Sequence, residues 1–177
     1  LFRSTTDAAV LPLLMAAAYE RTRDLRAAFR ELLGQLEGSF AIALQSVRHP
    51  DALLLGIGGS GQSLHVGLAG DAWRDFVVAS EVYGLVEATD RYLRFEGDRP
   101  RVPGQPGTAG QLVHLERGAV PVACSFDGVA LSPAALPPSV AEITTRDIHI
   151  DGYPHYFLKE ISQAVRSRLA CSGLRRA

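Results

Sequence analysis

Apolar residues recur along the chain with two different periods. Over 24–36, Leu25, Ala28, Phe29, Leu32 and Leu36 fall at helical spacing and make one apolar stripe. That spacing predicts a helix, with Asp24 in the capping position and Gly38 past its end. The stretch 7–19 also reads as a helix, since Thr5, Thr6 and Asp7 are cap-type residues followed by three turns of apolar side chains. Pro12 is tolerated only in a first turn, so the expected start moves a few residues downstream. After Gly38 the period shortens to that of strands, at 39–47, 52–57, 64–68, 76–79 and 92–95, with a turn expected at His49-Pro50-Asp51. A short helix is expected at 81–87, and a hairpin over 111–116 and 119–126 around Arg117-Gly118. The stretch 97–110, with three prolines and four glycines, reads as a loop insert. The stretch 131–139 is proline-rich and irregular, and 153–169 turns helical from about Phe157. Helices come first and strands afterwards. Segregated elements predict an α+β fold, an antiparallel sheet covered by helices rather than a parallel wrap.

Composition narrows the function classes. With 177 residues and 47% hydrophobic content, the chain can build one domain with a core. A net charge of -1 provides no basic field for nucleic acid. No apolar run approaches the roughly 20 residues that span a bilayer. The apolar stretch 8–19 contains Pro12 and lacks a basic leader, so it is not read as a signal peptide. The chain opens on Leu1 rather than Met, which predicts that it begins inside a longer protein. Two cysteines, Cys124 and Cys171, are too few for a disulfide scaffold. None of the five histidines stands at the spacing of a helical zinc motif. No metal and no cofactor are expected, and the expected compartment is a reducing cytoplasm.

Few residues suggest chemistry. Gly56, Gly58 and Gly61 match the spacing of a dinucleotide-binding loop, but Leu64 to Leu68 alternates like a strand, and no helix follows to hold a pyrophosphate. The glycines therefore read as a tight turn. Cys124 sits in an apolar strand with no basic neighbour in sequence, which predicts an inert thiol. Cys171 lies in an arginine-rich tail and reads as solvated. His155, between Tyr153 and Tyr156, reads as a satisfied residue at a domain edge, and Asp71, Asp75 and Asp90 as solvated turn residues. No catalytic constellation emerges from the residues alone.

The order of segments adds a resemblance. STTDAAV at 4–10 resembles the S-x-T-D-x-x-V stretch of the glutaminase domain of glutamine–fructose-6-phosphate amidotransferases, the glucosamine-6-phosphate synthase family. LEGSFA at 36–41 resembles its L-x-G-S-Y/F-A, SLHVGL at 63–68 its P-L-x-I-G-L, and VASE at 78–81 its A-S-D/E turn. QLVHLERG at 111–118 is similar to its x-V-x-L-x-x-G hairpin, and HYFLKEISQ at 155–163 to the segment that leads into its isomerase half. Six weak motifs keep the family's order from Ser4 to Gln163. The resemblance implies a partial N-terminal-nucleophile hydrolase sandwich, αββα, with mostly antiparallel sheets. It also implies a division into 1–152, the carboxy-terminal part of a glutaminase domain, and 153–177, a junction towards a phosphosugar-isomerase domain.

What the family does follows as an expectation. An amino-terminal cysteine attacks the side-chain amide of glutamine with its own α-amino group as base, and an oxyanion hole holds the tetrahedral intermediate. The ammonia released passes through a channel and aminates a ketose phosphate. The resemblance thus implies glutamine and a sugar phosphate as partners, and a homo-oligomeric parent protein. The family's nucleophile and oxyanion hole precede the part matched here, so no catalytic residue is assigned. One binding residue carries over: Asp7 matches the aspartate that takes glutamine's α-ammonium. Its plainer reading is a helix cap or a first-turn acid. The sequence departs from the family at Gly61-Gln62, in the length of the 97–110 insert, and in the tail from Arg166 on. The first two suggest a divergent branch, and the last a truncated or frameshifted end. Another glutamine amidotransferase of the same superfamily, or a non-catalytic module that kept the fold, are the alternatives.

Overall fold

The computed structural model describes residues 6–70, 74–100, 102, 104, 109–132, 136–143, 150, 152–159 and 161–162, with Asp7 described in its backbone only. The chain divides into two compact units, Leu1–Glu142 and Ile143–Ala177.

In the first unit a 3-10 turn, Asp7–Val10, runs into helix α1, Leu11–Thr22. Pro12 sits in the first turn of α1, where a missing N–H costs nothing. Helix α2, Leu25–Gly34, begins at Asp24, whose carboxylate accepts a hydrogen bond from the Ala27 N–H at 2.9 Å. Its stripe becomes a packed face: Ala28, Phe29, Leu32 and Leu33 are buried. Burial of a leucine or phenylalanine of this kind is worth about 1.5–3 kcal/mol.

Among the described residues nine strands follow: β1 Phe40–Ser46, β2 His49–Gly58, β3 Ser63–Ala69, β4 Asp75–Ala79, β5 Arg91–Glu96, β6 Gln111–Glu116, β7 Val122–Ser125, β8 Ala130–Leu131 and β9 Ser139–Val140. They form two sheets, ordered β1-β2-β6-β7-β8 and β4-β3-β5-β9. Every pairing among them is antiparallel. The α+β class and the antiparallel pairing match the expectation from sequence. A second sheet was not legible in the residue pattern.

The layers follow from which side each residue faces. Leu55 and Ile57 of β2, Val113 and Leu115 of β6, Val66 and Leu68 of β3, and Phe95 of β5 close a core between the sheets. Leu54 and Leu112, one residue out of phase, join Phe29, Leu32 and Leu33 in a second core under the helices. The strand period of two thus splits β2 and β6 between two cores. The stacking is helices, first sheet, second sheet.

Three expectations from sequence need correction. The turn placed at His49-Pro50-Asp51 lies inside β2, and the reversal is made by Val47-Arg48. The register shifts here, with Ser46 opposite His49 but Gln45 opposite Leu53, so Pro50 falls in the irregularity where a missing N–H breaks no ladder bond. The helix expected at 81–87 is only a 3-10 turn, Val82–Gly84, continued by further turns. The irregular 131–139 stretch contributes the two short strands β8 and β9 at its ends.

In the second unit the backbone is helical at 156–159 and 161–162, one residue earlier than expected.

Candidate functional site

The glycines around Gly58 make a chain crossing. β2 ends in the first sheet at Gly58 and β3 opens the second sheet at Ser63. Gly59 and Gly61 have φ of +74° and +77°. A Cβ on Gly58 would meet the Phe40 ring, and one on Gly59 the backbone of Gly38 and Ser39. A strand, not a helix, follows, so no helix terminus is available to hold a phosphate. The tight-turn reading agrees with this geometry.

The titratable candidates stand apart. Cys124 is half-buried in β7, and burial pushes its thiol up, against a smaller opposing pull from Arg26 and Arg30. A thiol held protonated is a poor nucleophile. His155 is exposed, and its Nδ1 accepts the Leu158 N–H at 3.2 Å, which makes it a local helix cap. Asp75 and Asp90 are exposed. Cys171 and Asp71 lie outside the described residues. Among the described residues, no group of three or more His, Cys, Asp or Glu side chains is placed to hold a metal. No described helix is long and apolar enough to cross a membrane.

Sequence inspection passed over His65. It is buried in β3, donates from Nδ1 to the Ser80 carbonyl at 3.2 Å, and meets the Tyr92 ring edge-on. Burial lowers its pKa from 6.5, with Arg94 adding to the shift, while the Ser80 bond, Glu81 and Glu96 oppose it.

Asp7 opens the 3-10 turn. The cap position belongs to Thr6, whose side chain makes no cap bond, while its carbonyl accepts the Ala9 N–H at 3.2 Å. The Asp7 side chain lies outside the described residues. The backbone nevertheless puts residue 7 beside a cleft. Ala8, the next residue, lines a cavity of about 550 Å³ together with Val10, Leu11, Ser39, Phe40 and Gln62. It also lines a neighbouring groove of about 520 Å³ between α1 and β1, whose walls include Met15, Tyr19, Ile42 and Leu44. Tyr19 closes the far end of that groove, with its hydroxyl 3.2 Å from His49 Nε2 and the Arg48 guanidinium over its ring. Two of the six motifs meet around the cleft, the turn at Asp7 and the 36–41 junction, with Gln62, just before the 63–68 strand, beside them. Its walls come from segments more than 50 residues apart and are mostly apolar, so no single residue type advertised it.

Comparison with known proteins bears out the resemblance read from those motifs. Over 161 residues the chain is 30% identical to glutamine–fructose-6-phosphate aminotransferase (isomerizing) of Halalkalibacterium halodurans, a match that covers 91% of this chain and 23% of that protein. It is 31% identical over 162 residues to the enzyme of the same name from Oceanobacillus iheyensis, covering 92% of this chain and 24% of the relative. It is 28% identical over 161 residues to that of Bacteroides thetaiotaomicron, covering 90% and 23%. The chain is therefore similar, along nine-tenths of its length, to about a quarter of these relatives. No family model matches it.

Proposed function

We propose that this chain is the carboxy-terminal part of the glutaminase domain of a glutamine-dependent sugar-phosphate amidotransferase. Within it, the chain would form both sheets and one wall of the glutamine pocket. The observation that carries this reading is the similarity, over 91% of the chain, to a glutamine–fructose-6-phosphate aminotransferase. Two stacked antiparallel sheets with helices on one face support an N-terminal-nucleophile hydrolase sandwich.

The chemistry divides between this chain and a nucleophile from outside it. A thiolate attacks the glutamine side-chain carbonyl, ammonia leaves, and water hydrolyses the thioester to glutamate. Cys124 does not supply that thiolate, since it is held protonated by burial under α2. Asp7 binds the α-ammonium of glutamine, a role supported by its motif and by its chain neighbour Ala8 lining the 550 Å³ cleft. The ammonia aminates a sugar phosphate in a second domain, reached through the segment after residue 153.

Replacement of Asp7 tests this role. In the full-length protein Asp7→Asn removes a charge-assisted hydrogen bond, worth roughly 1.5–3 kcal/mol. Glutamine kcat/KM then falls about ten- to a hundred-fold. The loss appears mainly in KM, because the ammonium is remote from the reacting amide. Activity with free ammonia as nitrogen donor stays unchanged. Asparagine serves a helix terminus about as well as aspartate, so an unchanged glutamine KM with an unchanged Tm assigns Asp7 to the helix alone.

A further inference from the structure

One buried side chain holds the end of the sandwich where β2 crosses to β3. Gln111, fully buried, opens β6 in the first sheet, opposite Ile57 of β2. Its Nε2 donates to the Glu96 carbonyl at 3.0 Å and to the Ala109 carbonyl at 2.9 Å. Both N–H bonds of the amide are thus in use. Glu96 ends β5 in the second sheet, so the first bond joins the two sheets. Its neighbours on β6, Leu112, Val113 and Leu115, are buried and apolar. Burial alone would be served as well by an apolar residue at 111. A buried amide with its bonds made fixes a geometry instead.

Two lines of contact run from those carbonyls to one place. Gly97, next to Glu96, lies so close to Gly58 and Gly59 that a Cβ on it would strike their backbone. Gly59 in turn leaves no room for a Cβ against Gly38 and Ser39. On the other side Gly110, next to Ala109, lies against the Phe126 ring, and its carbonyl accepts the Phe126 N–H at 3.3 Å. That ring stacks on Phe40, with centroids 6.1 Å and planes 10° apart. The lines end on Ser39 and Phe40, which are adjacent and both line the 550 Å³ cleft. Close-packed contacts transmit displacement, because no void absorbs it.

We propose that Gln111 is a positioning residue for the glutamine site: its amide fixes two carbonyls behind the cleft, and through them the wall at Ser39 and Phe40. The proposal rests on the reading of that cleft as part of the glutamine pocket. Every contact it invokes is made within this chain.

Glutamine kinetics on the full-length protein test it. Gln111→Met keeps the bulk and removes both donors. Gly97→Ala keeps Gln111 and pushes on Gly58 and Gly59. Each raises glutamine KM about three- to tenfold, short of the roughly hundredfold loss that a displacement of about 1 Å can cause. Activity with free ammonia, and kcat, change less than about twofold. In Gln111→Met the backbone amides of 36–41 also exchange with solvent faster. Leu131→Ala is the control, since Leu131 is buried in β8 at the far edge of the first sheet. It lowers Tm and leaves glutamine KM unchanged, as a role in stability alone would. An unchanged glutamine KM in either Gln111→Met or Gly97→Ala overturns the proposal, whatever Asp7→Asn does. Should Gln111→Met not fold, Gly97→Ala decides. If Asp7→Asn leaves KM unchanged while the other two raise it, the role of Asp7 fails and that of Gln111 stands. A full-length protein that turns over no glutamine overturns both.

Discussion

His65 shows how one side chain ties stability to pH. Its imidazole is buried in β3, hydrogen-bonded to Ser80 and packed on Tyr92, and Arg94, Glu81 and Glu96 face it. Burial disfavours the charged ring, so its folded pKa lies below the unfolded value of 6.5. His114 on β6 is shifted the same way by burial and Arg26. Between the folded and unfolded values the unfolded chain binds more protons, so stability rises with pH there. The contribution of each histidine is complete above the unfolded value and is lost as pH falls through the folded one. Urea titrations from about pH 7 to pH 5 should show a falling midpoint, and His65→Gln should flatten part of that fall. Equal slopes in wild type and variant would remove His65 from the account. Its sequence context, an apolar alternating strand, carried the burial signal, but nothing local named Ser80 or Tyr92 as its partners.

At the scale of elements, the segment from Gly56 to Gly61 is where the chain leaves one sheet for the other. Three backbone stretches crowd together there. A side chain on Gly59 would collide with Gly38 and Ser39, and one on Gly97 with Gly58 and Gly59. Gly61 shares a positive φ of +77° but has open space around it. The two glycines should therefore respond differently to alanine. Gly61→Ala costs about 1–2 kcal/mol, the penalty of a left-handed backbone. Gly59→Ala adds a backbone clash and costs about 3 kcal/mol or more. Chemical denaturation of both variants measures the difference, and equal losses would contradict the close approach. The tight turn was legible from the strand after it. The reason for so many glycines was not, since residues 38, 58 and 97 are brought together only by the sandwich.

Across the first unit, the layers keep Cys124 away from the cleft that Ala8 lines. One face of the first sheet packs against α1 and α2, and the other against the second sheet. Cys124 sits in β7 with its thiol pushed up by desolvation. Incubated with glutamine, the purified chain should release no glutamate above buffer, and Cys124→Ala should change nothing. Glutamate release that vanished in Cys124→Ala would overturn the assignment of the nucleophile to a segment outside this chain. That assignment rests on chemistry readable at two levels: no basic partner beside Cys124 in sequence, and burial of the thiol in the fold.

Periodicity was enough to identify both helices, most strands and the α+β class, because the spacing of apolar residues is a local property. The capping aspartate of α2 and the displaced start of α1 were readable for the same reason: caps and prolines act within one turn. Sheet membership was not readable. β2 and β3 are consecutive and look alike in sequence, yet β2 pairs with β6, whose partner residues begin at Gln111, and β3 pairs with β4 and β5. Such pairings depend on which faces can be buried together, and a strand's own residues do not record their neighbour. The same holds for the cleft beside Asp7, which is made by what packs next to a strand and came into view only with the fold assembled.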